Sequence, residues 1–181
     1  TQCVSSVLGI CKLVETMKSI RSWLKTFQSV QGYFIADHRT LRYIQVNRDL
    51  WDRASVAAKF GALGLGRCIP DMKLNEVQER FVLEDVKVGI SARDLGLFDT
   101  LCNDLLYIDE VKYVVSYLLS AHDPYSFPIW DERRRMICEW EEQGEVDSYD
   151  QLKVSIDQCK TANGCSDLDY FMFNKLLWLC E

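Results

Sequence analysis

Hydrophobic positions recur at helical spacing along most of the chain. Over about residues 5–30, Leu8, Cys11, Val14 or Ile10, Met17, Ile20, Trp23, Leu24 and Phe27 recur at helical spacing, with Lys12, Glu15, Lys18, Arg21 and Lys25 between them. That spacing predicts one long amphipathic helix whose outer face is mildly basic. Gln31-Gly32 breaks the pattern, and Leu41, Ile44, Leu50, Trp51, Ala54 and Ala57 predict a second helix over about 40–60. The run Gly61-Ala62-Leu63-Gly64-Leu65-Gly66 follows. It has neither the glycine order of a dinucleotide fingerprint nor the Lys-Ser/Thr ending of a phosphate loop, so it reads as a helix terminus and loop.

Beyond Pro70, residues 75–83 predict a short helix, and the apolar alternation from Val86 to Ile90 is too short to define a strand. Ser91-Ala92-Arg93-Asp94 has the form of a capping box with Asp in place of Glu, ahead of Leu95, Phe98, Leu101, Cys102, Leu105 and Leu106. A helix over about 109–121 ends at Asp123-Pro124. After the Pro128 turn, further helices are expected over 131–143, 148–159 and 167–179, with a loop at 161–166. The sum is seven or eight helices. A mainly α chain follows, a single multi-helix domain over residues 1–181, with no repeat or linker to divide it.

Composition agrees with a packed core, since 48% of the 181 residues are hydrophobic and only nine are glycine and three proline. Charge adds an asymmetry. Acids outnumber bases by twelve to six from Asp131 to Glu181, against fifteen of each before it. The chain therefore lacks the overall basic footprint of a nucleic-acid binder, and only a local basic face remains open to it. Eight cysteines occur without a Cys-x-x-Cys pair, which argues against zinc. Most lie beside apolar residues, where a thiol behaves as a small hydrophobe, and reduced thiols imply an intracellular home; a secreted disulfide framework is the rival reading. No apolar run approaches the roughly 18 residues of a membrane span and no signal peptide is evident, so a membrane partner is not expected.

Candidate chemistry concentrates between Glu110 and Asp131, which read Glu-Val-Lys-Tyr-Val-Val-Ser-Tyr-Leu-Leu-Ser-Ala-His-Asp-Pro-Tyr-Ser-Phe-Pro-Ile-Trp-Asp. A helix, a proline-marked loop and an aspartate after Pro128-Ile129-Trp130 make a pattern that resembles the helix-hairpin-helix DNA glycosylase superfamily around its catalytic aspartate. In the 8-oxoguanine glycosylase branch a nucleophilic lysine lies nineteen residues before that aspartate, and Lys112 has this spacing to Asp131. The closing stretch Asp167-Leu168-Asp169-Tyr170-Phe171 with Leu177-Trp178 is similar to the terminal helix of uncharacterised relatives. The resemblance covers the C-terminal part, about residues 101–181, and leaves 1–100 without a known affinity. It implies a glycosylase-like fold, no cofactor, DNA as partner, and Lys112 and Asp131 as the catalytic pair. A lysine amine of lowered pKa attacks the sugar, and the carboxylate stabilises the developing positive charge. A base taken out of the stack needs aromatic surface, for which Trp130, Tyr113 and Phe127 are candidates, and Arg133, Arg134 and Arg135 are candidate phosphate contacts. Tyr107-Ile108-Asp109-Glu110-Val111, before the lysine, departs from the family hairpin in having no glycine and two acids.

Plainer roles stand beside these. Asp131 fits a helix N-cap, Lys112 a solvated lysine, His38 and His122 caps or surface residues, and the arginine triplet a surface paired with Glu132 and Glu139. A second function class also fits: a non-enzymatic interaction or inhibitor protein that docks a basic protein partner through Glu139, Glu141, Glu142, Glu145, Asp147 and Asp150. On that reading the glycosylase-like fold is degenerate.

Overall fold

The computed structural model describes Ile20 and residues 74–108, 110–132 and 146–180. These are helical, with no strand among them, so the protein is mainly α. Outside the described residues lie the predicted helices over 5–30 (Ile20 apart, which is helical and buried) and 40–60, the glycine run at 61–66, His38, nearly all of 131–143, and the glutamates at 139–145. The chain divides into two compact units, one of Thr1–Gln31 with Pro128–Glu181 and one of Gly32–Phe127. Their boundary falls between Phe127 and Pro128, inside the proline-marked loop.

Among the described residues of the second unit four helices follow in order: α1 (Leu74–Phe81), α2 (Glu84–Ala92), α3 (Gly96–Asp104) and α4 (Val111–His122). Each neighbour packs on the next, α1 on α2, α2 on α3 and α3 on α4. α1 buries Val77 and Phe81, four apart, and leaves Glu76 and Glu79 exposed. Arg80 at its end bonds both Asp85 and Asp104, tying α1 to the starts of α2 and the end of α3. Burial lowers the affinity of that guanidinium for its proton, but the two carboxylates outweigh it and the net shift is upward.

The short apolar run Val86–Ile90 is part of α2. Val86, Gly89 and Ile90 are its buried face at helical spacing, so the alternation is one stripe of a helix. Gly89 is a place of close packing, since a Cβ there would stand 3.1 Å from Leu97 Cδ2 of α3 and Leu97 would have to give by a few tenths of an ångström. The capping box expected at Ser91 does not form. Ser91 is inside α2, and the helix ends in a Schellman turn in which Asp94 N–H bonds Gly89 O and Arg93 N–H bonds Ile90 O, with Arg93 at φ 57°. Asp94 then accepts from Gly96 N–H at 2.9 Å and so starts α3 alone. The start of α3 thus lies three residues beyond Ser91, because the preceding helix takes up Ser91.

α4 is the core helix of this unit. Every residue from Val114 to Ala121 is buried, as expected of a helix apolar on all sides. It ends at Asp123, whose carboxylate accepts from Tyr125 N–H and from Ser126 Oγ and lies 3.4 Å from Arg93 Nε.

In the first unit, α5 (Tyr149–Ala162) begins at Ser148, whose hydroxyl accepts from Gln151 N–H at 3.2 Å. Leu152, Ile156 and Cys159 face the core. α6 (Tyr170–Cys180) starts at the buried Asp169, whose carboxylate accepts from Met172 N–H at 2.7 Å. Tyr170, Phe171, Met172, Phe173, Leu176 and Leu177 are all buried. The two helices join through Tyr170 Oη, which donates to Asp157 Oδ1 at 2.6 Å.

Candidate functional site

Pro128-Ile129-Trp130-Asp131 is a wholly buried, irregular segment of the first unit. Two side chains hold it from opposite ends. Tyr149 at the start of α5 donates its hydroxyl to the Pro128 carbonyl. Asn174, one turn into α6, donates Nδ2–H to Asp131 Oδ2 at 2.8 Å. Asp131 is 8% exposed and Asn174 7%, so the bond is made away from solvent. Water competes little for such a bond, and each group depends on its protein partners.

Beside the pair is a cavity of about 10 Å³, lined by Asp131, Asn174 and the apolar side chains Ile129, Ile156, Tyr170, Phe173 and Leu177. It is the size of one water molecule, far below what a nucleobase needs. Among the described residues the carboxylate is positioned by its bond to Asn174, and the cavity that it lines is not base-sized.

The other predicted residues are distributed as follows. Lys112 is exposed on the first turn of α4, in the second unit, while Asp131 belongs to the first. Its ammonium acts on the buried Cys102 of α3. Burial, with Asp99 adding, pushes that thiol up to about 12, and Lys112 partly opposes the shift. Glu110, just before α4, takes a left-handed backbone at φ 55°, a conformation that favours glycine. Of the candidate stacking aromatics, Trp130 and Phe127 are buried, at 7% and 0%. Tyr113 is half-buried, its ring 5.3 Å from that of Tyr117. Tyr125, in the loop after Pro124, is 63% exposed and offers more ring surface than any of them. Arg133, Arg134 and Arg135 lie outside the described residues.

Sequence reasoning missed Asn174. A signal was available, since it is the first polar residue in the otherwise apolar run Tyr170-Phe171-Met172-Phe173, and a polar residue on the buried face of a helix needs a buried partner. Among the described residues no helix is long and apolar enough to cross a membrane. Compared with known protein families, curated proteins and solved structures, the chain has no match.

Proposed function

We propose that this chain is a DNA glycosylase-like protein that acts on or recognises a damaged or modified base, with Asp131 as its central carboxylate. The observation that carries the reading is the fixed setting of Asp131, buried at the end of the Pro-Ile-Trp turn and oriented by Asn174 at 2.8 Å. A carboxylate held this way needs no reorganisation when positive charge develops beside it on a deoxyribose ring. The sequence resemblance supplies the partner residue. Lys112, exposed at the start of α4, is accessible to a DNA backbone or sugar. In its neutral form the Nζ lone pair attacks C1′ of an extruded nucleotide, the glycosidic bond breaks, and the base departs with its electron pair and takes up a proton. Loss of a proton from Nζ then opens the sugar to a Schiff base.

Borohydride trapping tests this directly. Native protein is mixed with duplex and single-stranded oligonucleotides carrying an abasic site or 8-oxoguanine, with Lys112→Gln and Asp131→Asn in parallel. The expected result is a covalent adduct that Lys112→Gln abolishes and Asp131→Asn reduces by two or more orders of magnitude, roughly the scale of a lost electrostatic group. Asp131→Asn retains a side-chain oxygen for Asn174 to donate to, so the fold is expected to survive. Absence of an adduct together with absence of salt-sensitive DNA binding overturns the reading in favour of a protein-docking function.

A further inference from the structure

Two turns of the second unit leave large apolar side chains in solvent. Val82 and Leu83, between α1 and α2, are 40% and 49% exposed, and Leu106 and Tyr107, after α3, are 71% and 40% exposed. The two turns are tied to each other. Arg80, two residues before Val82, bonds Asp104, two residues before Leu106. Tyr107 donates its hydroxyl to Glu76 on the first turn of α1. The four side chains therefore share one region of surface along and beyond α1, where an exposed apolar patch marks a site of contact.

Both turns are built rather than frayed. Phe81 and Val86 are buried on either side of Val82 and Leu83, and Leu105 and Ile108 on either side of Leu106 and Tyr107. Leu83 N–H bonds the Arg80 carbonyl and Ile108 N–H the Leu105 carbonyl. A partner that covers such a patch orders little backbone on this side of the contact, which lowers the entropic cost of docking.

The rim is acidic. Residues 74–86 and 104–108 carry five acids, Glu76, Glu79, Glu84, Asp85 and Asp104, and one base, Arg80. All five acids are exposed, and Arg80 is already paired with Asp85 and Asp104. This combination selects the occupant. Phosphates of nucleic acid and anionic lipid headgroups are repelled by the rim, and a second copy of this chain would set like charge against like. A purely polybasic tail would leave the leucines uncovered.

We propose that this patch is a docking site for a basic amphipathic segment of a partner protein, whose apolar side chains cover Leu83, Leu106 and the Tyr107 ring and whose lysines or arginines meet Glu79, Glu84 and Asp85. Apolar anchors supply most of the affinity in such a contact, and the charged rim supplies the choice of partner. The site lies in the second unit and involves neither Lys112 nor Asp131, so the proposal is independent of the glycosylase reading.

A fluorescein-labelled helical peptide of leucine and lysine, about 18 residues long with its leucines three and four apart, is the probe. Its anisotropy is read against the native full-length protein at about 0.15 M salt. Saturable binding of one peptide per chain is expected, weakened about tenfold or more by Leu83→Ser combined with Leu106→Gln. Ser at position 83 places a capping hydroxyl before α2 and position 106 is exposed, so the fold is expected to persist, with an unchanged thermal midpoint as the check. Glu79→Lys, on the exposed side of α1, repeats the test without altering an apolar residue and is expected to weaken binding to a similar extent. A peptide with the same leucine pattern and glutamate in place of lysine is expected not to bind. Absence of saturable binding, or equal binding of the glutamate peptide, overturns the proposal. So does an affinity of the folded variants within about twofold of wild type, which would place the peptide on another acidic surface such as Glu139–Asp150.

Discussion

The carboxylate of Asp131 and the side-chain amide of Asn174 lie 43 residues apart in sequence and are joined by a buried hydrogen bond of 2.8 Å. The bond fixes the end of the Pro128-Ile129-Trp130 segment to α6, while Tyr149 fixes its beginning to α5. Removing the donor leaves a buried polar group with one partner fewer. Asn174→Ala is expected to lower unfolding free energy by about 1–3 kcal/mol, measured by urea denaturation. A change below a few tenths of a kcal/mol would show that the bond contributes nothing net.

Arg93 pays a backbone strain that its ion pair does not return. Its φ of 57° belongs to the left-handed region, and its contact with Asp123 at 3.4 Å is made by a side chain 71% exposed. Exposed pairs of this kind are worth little, whereas a left-handed non-glycine residue costs about 1–2 kcal/mol. Arg93→Gly is accordingly expected to raise the thermal midpoint, with a gain of about 1 kcal/mol after the greater freedom of glycine in the unfolded chain is counted. A drop in midpoint refutes the strain argument.

Ser120 is completely buried in α4, and its Oγ has no hydrogen-bond partner among the described residues. Burying a hydroxyl without a replacement partner costs free energy. Ser120→Ala removes the group with little change of volume, so stability is expected to stay level or rise by about 1 kcal/mol. Calorimetry of the two proteins side by side provides the check, and a loss above that size would reveal a partner for the hydroxyl.

Alkaline pH is expected to destabilise the fold through Cys102. Burial raises its pKa from 9.0 to about 12, so between those values the native state keeps a proton that the unfolded chain releases. The stabilising contribution is whole below pH 9 and is lost as the pH rises toward 12. Tyr107, raised by burial and by its hydrogen bond to Glu76 from 10.0 to about 12, acts in the same direction. Lys160 acts oppositely: burial lowers its pKa despite the nearby Asp157, so protonation favours the unfolded chain below the ordinary lysine value. The Cys102 share is isolated by comparing wild type with Cys102→Ala in urea at about pH 8 and about pH 10.5. The variant is expected to lose less stability between the two conditions, and parallel losses would dismiss Cys102 as the source.

How far these features were legible in the sequence differs from residue to residue. The hydrophobic period of α4, the stop at Asp123-Pro124 and the start of α5 near Ser148 are local matters of spacing and hydrogen-bonding capacity within a few residues, and the sequence by itself determined them. So did the mainly α character. Tertiary structure decided where α2 ends. Ser91 and Asp94 both have cap-forming side chains, yet α2 runs past Ser91 and turns at Arg93, and Asp94 accepts from Gly96 N–H. It also decided which polar residues meet. No local rule connects Asp131 with Asn174, because the bond exists only once α6 lies against the Pro128 segment. Short-range preferences are set by backbone sterics and side-chain chemistry, whereas buried polar pairs are set by which faces the whole chain brings together as it excludes water.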